Sequence, residues 1–297
     1  MASTEVLLGV EKYIQAQIDG KQPVRPVFLV LYGEPGAGKS TTLPIVAEEE
    51  SISADDIVAV NVDQIVKDQP GYTEARTELL DQHDEKELSD EFIAEDQALY
   101  RRYRAQAELI SVRLLDVALL GRFHVSVETT GSSEAAIDWM TRNVARARSA
   151  GYRCILSYPL VAAAELIKRV KGRIRSQAGN PALLPGQIKA AAANLEKISP
   201  LFDTVYLIDN SMAKPKLFFR LEQFNPGTRD PDYWQWRSVD QLRKPAVDER
   251  EFIGKLGQTE RLECSRCGEA AQCSAKGFSA DVCTFVAEHC RKGGCDQ

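Results

Sequence analysis

The sequence predicts an α/β fold: a P-loop NTPase with a mostly parallel sheet flanked by helices, and a small cysteine-rich appendage at the C-terminal end. Three observations carry that expectation. Val27-Phe28-Leu29-Val30-Leu31-Tyr32 is apolar without a break, the pattern of a strand buried on both faces. A glycine-rich loop, Gly33 to Thr41, follows at once. Beyond it, strand-like runs alternate with helix-like ones as far as Ile208, which implies parallel strands joined by right-handed crossovers.

The elements follow in order. Residues 5–18 have the apolar spacing of a short amphipathic helix, and Gly20 to Pro26 are rich in turn formers. After the buried strand and the glycine loop, Thr41 to Glu50 continue as a helix, and Ile57 to Asn61 form the second strand. Residues 67–88 are polar, with a turn at Pro70-Gly71, and are expected to be mainly loop or exposed helix. Asp90 to Leu120 is apolar at helical spacing and stops at Gly121, a natural C-terminal cap. Phe123 to Val127 is the third strand, leading into Glu128-Thr129-Thr130-Gly131, and Ser133 to Ala150 is a helix. Arg153 to Tyr158 is the fourth strand and Ala162 to Arg175 a helix. A loop containing Gly179, Pro181, Pro185 and Gly186 precedes a helix from Gln187 to Lys197, and Asp203 to Ile208 is the fifth strand. Pro226 to Pro245 mixes turn and aromatic residues, which places a boundary near residue 250: a P-loop domain over 1–249 and a tail over 250–297.

Bulk properties narrow the function. The 297 residues are 44% hydrophobic and 27% charged, an ordinary globular composition. A net charge of -6 offers no electrostatic footprint for DNA or RNA, so nucleic acid is disfavoured as a partner. No apolar run approaches the roughly 18 residues that a membrane span requires. The first residues carry no basic stretch ahead of an apolar one, so a cytoplasmic location is expected.

Gly33-Glu34-Pro35-Gly36-Ala37-Gly38-Lys39-Ser40 matches the pattern G-x-x-x-x-G-K-[ST], between a buried strand and a helix. Glycines let the backbone curl so that successive N–H groups face phosphate oxygens at a helix N-terminus. Lys39 would neutralise the β- and γ-phosphates of ATP or GTP, and Ser40 would offer its hydroxyl to Mg²⁺. The loop identifies the nucleotide but not the reaction, which depends on groups at the other strand ends.

Three acidic residues stand there: Asp63 after the second strand, Glu128 at the end of the third and Asp209 at the end of the fifth. A kinase needs one carboxylate to accept the proton of an acceptor hydroxyl. An acid after a strand also serves as a helix cap, so spacing alone leaves both roles open. Arg169 and Arg173, four apart on one helix face, and nearby Arg175 could close on a transferring phosphoryl group. A solvated basic face is the alternative.

Together these segments resemble the zeta toxin and UDP-N-acetylglucosamine kinase family, over Val27 to Ser211 and in the same order. The matching pieces are the phosphate loop, Asn61-Val62-Asp63 with Asp68-Gln69-Pro70-Gly71-Tyr72, Val127-Glu128-Thr129-Thr130-Gly131, the arginine-rich helix and Leu207-Ile208-Asp209-Asn210-Ser211. The resemblance implies a kinase that transfers the γ-phosphate of ATP to a hydroxyl of a small molecule such as a sugar nucleotide. It places the catalytic base on Asp63, acceptor binding on Glu128, Thr129 and Arg175, and charge stabilisation on Lys39, Arg169 and Arg173. A polynucleotide or nucleoside kinase, and a non-kinase NTPase that gates a partner, are the alternatives. This chain departs from the family at Asn61, where many relatives carry an acid, at Ala178-Gly179-Asn180-Pro181, which lacks the family's lid histidine, and at Lys189.

Six of the seven cysteines lie between Cys264 and Cys295, while Cys154 stands in a strand pattern as a core residue. Neither His83 nor His124 is assigned a role. Cys264-Ser265-Arg266-Cys267 before Gly268 has knuckle spacing, and Cys283, His289 and Cys290 supply further ligands; the preferred set is Cys264, Cys267, Cys283 and Cys290 around one Zn²⁺. Free thiols or a redox-labile pair are the other readings. A closed zinc site would be structural, or would serve contact with an antitoxin-like or other protein partner. Purified protein should therefore carry about one Zn²⁺ per chain, and Cys264→Ser should release it, because a thiolate ligand is lost. Elemental analysis that finds no metal in untagged protein would remove the zinc reading.

Overall fold

In the computed structural model the described residues are 4–21, 25–83, 89–173, 184–210 and 215–222. Arg175, the loop around Gly179, the Pro226 to Pro245 segment and the cysteine-rich tail with Cys264, Cys267, Cys283 and Cys290 lie outside them, as does the boundary expected near residue 250.

The order is α1 (Thr4–Ile18), β1 (Val27–Tyr32), α2 (Lys39–Glu49), β2 (Ile57–Val60), α3 (Val62–Asp68), α4 (Tyr72–Gln82), α5 (Asp90–Leu120), β3 (His124–Thr129), α6 (Glu134–Ser149), β4 (Arg153–Leu160), α7 (Ala163–Arg173), α8 (Leu184–Ile198), β5 (Thr204–Asp209) and β6 (Lys216–Glu222). The six strands form one sheet in the order β2-β3-β1-β4-β5-β6. The first five are parallel, and β6 adds antiparallel to β5 at the edge. The chain steps from β1 out to β2, returns through β3 and crosses β1 to reach β4. Strand order thus reverses around β1 and β3, and ligands of open α/β sheets collect at the strand carboxyl ends beside such a reversal.

All six β1 residues are buried because both faces of the sheet are covered. Phe28, Val30 and Tyr32 pack with Leu114 and Leu115 of α5, Met140 and Val144 of α6 and Leu195 of α8. Val27, Leu29 and Leu31 face the other way, onto Val46 of α2 and Tyr206 and Ile208 of β5. Each such side chain contributes about 1.5–3 kcal/mol of burial free energy. Cys154 is fully buried in the first of these layers, as its strand position predicts. His124 sits at the start of β3, where its Nδ1 accepts the Val27 N–H at 3.3 Å; burial holds the imidazole below the ordinary histidine pKa.

Helix ends follow local chemistry. The side chains of Asn61, Ser89 and Ser133 accept the N–H groups of Gln64, Phe92 and Ala136 at the starts of α3, α5 and α6. The segment expected to be mainly loop or exposed helix, residues 67–88, holds the end of α3 and the three-turn helix α4, and it is not merely surface: Gln69, Tyr72 and Arg76 are buried. The reason is electrostatic. Arg76 Nε donates to Asp96 Oδ1 of α5 at 2.8 Å, with side-chain exposures of 9% and 1%, so a polar sequence hides a packed interface. β6 was also unanticipated.

Removing one member of a buried ion pair leaves an uncompensated charge, whereas replacing both by apolar groups does not. Arg76→Ala should therefore cost about 3 kcal/mol or more in urea unfolding, and Arg76→Met combined with Asp96→Leu should recover most of that loss. A single-variant cost under about 1 kcal/mol would show that the pair does not hold α4 to α5.

Candidate nucleotide and phosphoryl-transfer site

The site is assembled at the carboxyl ends of β1, β2, β3 and β5. β1 ends at Tyr32 and the chain turns through Gly33 to Gly38 into α2, with Ala37 N donating to Glu34 O at 3.1 Å and Thr41 N to Gly38 O at 3.0 Å. Gly38, the residue before α2, has φ 75°. A Cβ there would lie 2.3 Å from Asn210 Nδ2, so both the dihedral and the space call for glycine. The Glu34 carboxylate points inward, fully buried, and accepts the Tyr158 hydroxyl at 2.6 Å. Of Glu34, therefore, the backbone rather than the side chain faces the loop's hollow.

Lys39 is 8% exposed. Its Nζ donates to Gly33 O at 3.2 Å and Glu34 O at 3.3 Å, and lies 3.7 Å from Glu128 Oε1. Burial pushes the ammonium below the ordinary lysine pKa; the Glu128 and Asp63 carboxylates pull it back up, and the Arg173 guanidinium adds to the lowering. Charges from β3, α3 and α7 thus converge on the ammonium at the start of α2.

Register explains the position of Glu128. In the β1–β3 ladder Leu31 lies opposite Glu128 and Tyr32 opposite Thr129, so the carboxylate emerges beside the loop. Its Oε2 accepts Ser40 Oγ at 3.3 Å and Asn61 Nδ2 at 2.6 Å. The resemblance assigns Glu128 to the acceptor; in the structure its carboxylate lies beside Lys39 and Ser40 of the phosphate loop. Asn61 does two jobs: its oxygen caps α3 at Gln64 N, and its amide nitrogen holds Glu128. An amide in place of an acid at this position avoids setting two carboxylates against each other. Ser40 Oγ and Glu128 Oε2 are two converging hard oxygens, a donor pair that fits Mg²⁺.

Thr129 is committed to the backbone: its carbonyl accepts Gly33 N at 3.3 Å and its Oγ1 accepts Gly131 N at 3.2 Å. It shapes the turn after β3. Gly131, with φ 55°, lies so close to Tyr32 that a Cβ would fall 1.9 Å from its ring. Asp63 stands in the first turn of α3 with its carboxylate about half-exposed, where it accepts the Tyr100 hydroxyl of α5; Arg104 Nη1 lies 3.9 Å away.

Arg169 and Arg173 part company. The Arg169 guanidinium donates to Asn210 O at 2.8 Å and to Glu165 Oε1 at 3.1 Å, which ties α7 to the end of β5. Arg173, at the end of α7, is the one whose charge reaches Lys39. Asp209 ends β5, opposite Leu160 and Lys216.

Sequence reasoning missed the role of Asn210. It is 5% exposed, and its Nδ2 donates to Ala37 O at 2.6 Å and Thr41 Oγ1 at 3.2 Å, bracing the loop from the far side. The signal was its place one residue past a strand end, and nothing local connects it to a loop some 170 residues earlier. Tyr100 and Arg104, at helical i, i+4 spacing, were missed for the same reason. Among the described residues no cluster of three or more His, Cys, Asp or Glu side chains could hold a metal, and no helix is long and apolar enough to cross a membrane.

The sequence profile of the family described as Zeta toxin matches residues 11–209. No curated protein matches the chain in sequence. A solved structure from the PezAT chromosomal toxin-antitoxin system of Streptococcus pneumoniae is similar, with TM-score 0.54 and 15% identity over 82% of this chain and 93% of that one. The native AvrRxo1-ORF1:-ORF2 complex contains another, with TM-score 0.51 and 13% identity over 96% of this chain and 89% of that one. At these identities the likeness is one of fold.

Losing the Asn210 amide would leave Ala37 O without that donor, a change of about 1–3 kcal/mol. Asn210→Ala should thus weaken ATP binding by about tenfold in calorimetry and lower Tm by a few degrees. Unaltered ATP affinity would show that Asn210 does not shape the loop.

Proposed function

From the premise that this chain belongs to the zeta toxin family, we propose that it is an ATP-dependent P-loop kinase that transfers the γ-phosphate to a hydroxyl of a small molecule, with a sugar nucleotide such as UDP-N-acetylglucosamine as the acceptor class. One observation carries the reading: the Glu128 carboxylate lies 3.7 Å from the buried Lys39 ammonium and accepts the Ser40 hydroxyl, beside the turn where β1 and β3 end and next to Asn61, the cap of the helix that carries Asp63. A phosphate-binding cation, a metal-side carboxylate and a second, half-exposed carboxylate are the parts that phosphoryl transfer to an alcohol requires.

In this reading the loop amides from Gly33 to Thr41 cradle the phosphates, and Lys39 leaves its contacts with Gly33 O and Glu34 O to meet the β- and γ-oxygens. Ser40 and Glu128 would hold Mg²⁺, which when bound neutralises charge between those phosphates. Asp63 orients the acceptor hydroxyl and takes its proton. Arg173 stabilises charge on the transferring group, and Arg169 positions α7 through Asn210 rather than touching phosphate. Thr129 holds the turn that borders the acceptor, and Arg175 would meet the acceptor from the lid side. For residues 250–297 the proposal is one Zn²⁺ held by Cys264, Cys267, Cys283 and Cys290, with a structural role or a role in contact with a protein partner. An antitoxin-like partner is supported by the likeness to a structure from the PezAT toxin-antitoxin system.

Purified protein should be incubated with γ-labelled ATP and a panel of sugar nucleotides, nucleosides and oligonucleotides. Label should pass to a sugar nucleotide. Asp63→Asn should then lower kcat by about 10²- to 10⁴-fold with ATP affinity nearly unchanged, the range for a positioned general base. Glu128→Gln should instead raise the Mg²⁺ requirement along with the loss of rate. Near-normal kcat in Asp63→Asn would refute its role as base, and a shift confined to acceptor KM in Glu128→Gln would return Glu128 to the acceptor.

A further inference from the structure

Asp63 does not stand alone, and the groups behind it belong to none of the matched motifs. Tyr100 and Arg104 lie one turn apart on α5, and α5 packs against α3. The Tyr100 hydroxyl donates to Asp63 Oδ1, Arg104 Nη1 donates to the Tyr100 oxygen at 2.8 Å, and Arg104 Nε donates to Glu108 Oε1 at 2.8 Å. The direction of this chain is settled by chemistry. A guanidinium has no acceptor and an ionised carboxylate has no proton to give. The phenol must therefore accept from Arg104 and spend its single proton on Asp63.

We propose that Tyr100, polarised by Arg104, is a positioning residue for phosphoryl transfer that fixes the Asp63 carboxylate in its productive orientation. The inference rests on the reading of Asp63 as the base. Accepting a charged donor strengthens the phenol as a donor in turn, because hydrogen bonds in series polarise one another. Tyr100 is well placed to transmit rigidity: its ring packs against the buried group of Ile65, Val66, Tyr72, Ala107 and Ile110, which joins α3, α4 and α5. Burial, and then the Asp63 charge, raise its pKa well above that of an ordinary tyrosine, so the proton stays on the phenol. Asp63 itself is about half-exposed on a helix first turn. Without the phenol, its carboxylate would turn among rotamers, and an error of about 1 Å in a reacting group costs up to roughly 10²-fold in rate. Glu108 completes the line by holding Arg104 from the next turn of α5.

The test is steady-state kinetics with γ-labelled ATP and UDP-N-acetylglucosamine, or whichever panel member accepts label. Tyr100→Phe keeps the ring and removes only the hydroxyl. It should lower kcat by about 10- to 100-fold while ATP affinity and acceptor KM each move by less than about twofold. The more exposed Arg104→Ala should give a smaller loss, of about three- to tenfold, and Arg104→Lys should restore part of it by supplying a donor. In an Asp63→Asn background Tyr100→Phe should add less than about twofold, since an effect that runs through Asp63 has nothing left to act on. A full kcat in Tyr100→Phe, or an equal loss with and without Asp63, overturns the inference while leaving the kinase reading intact. Near-normal kcat in Asp63→Asn overturns both. A Tyr100→Phe protein that also loses ATP binding would show that the phenol supports the fold and not the base, and would overturn the inference as well.

Discussion

A lysine ammonium buried at the carboxyl ends of a sheet's strands has to be surrounded by oxygen, because removing an unpaired cation from water costs far more than any packing can return. Lys39 meets that demand with Gly33 O, Glu34 O and the Glu128 carboxylate. Each oxygen has its own structural requirement. The two carbonyls need the loop to curl through Gly36 and Gly38 at positive φ. Glu128 needs β3 to pair beside β1 in a register that sets it opposite Leu31. Asn61, at the end of β2, then holds Glu128, and Asn210, at the end of β5, holds the loop. The parallel order of the sheet brings four strand ends to one charge, and the site follows from compensating it.

A second frame stands on α5. This 31-residue helix carries Leu114 and Leu115 into the sheet layer at one end. Toward its start it carries Asp96 against Arg76 and Tyr100 against Asp63. The same helix therefore sets the distance between the core and the α3–α4 layer that presents Asp63. Lys39 and Asp63 are positioned by different parts of the molecule, and coupling between them runs through packed side chains instead of the loop itself. Such a division suits a site where nucleotide binding and acceptor activation are separate tasks.

What could be read in advance was local. β1 and the phosphate loop are contiguous, so burial on both faces, the glycines and the lysine announce themselves together. The helix ending at Gly121 and the helix opening after Ser133 follow from single-residue capping chemistry. The rest depends on partners far away in the chain. Arg76 looks like surface until Asp96 is set beside it, which is why α4 read as loop or exposed helix. The contacts of Glu128 also depend on a distant partner, since pairing with β1 delivers its carboxylate to Ser40. Arg169, four residues before Arg173, reaches the end of β5 through Asn210 O, a contact that helical spacing does not announce. β6 joins only because β5 leaves an open edge, and nothing in residues 216–222 names that edge.

A charge cluster of this kind would serve a hydrolase or a nucleotide-gated switch as well as a kinase, if water rather than an acceptor hydroxyl reached Asp63. The most direct test is therefore a single-turnover reaction with γ-labelled ATP and Mg²⁺, run with and without the sugar-nucleotide acceptor. The account predicts that ATP persists when the acceptor is absent, and that with acceptor the label moves to its hydroxyl instead of to inorganic phosphate. Release of inorganic phosphate at the same rate in both reactions would contradict it.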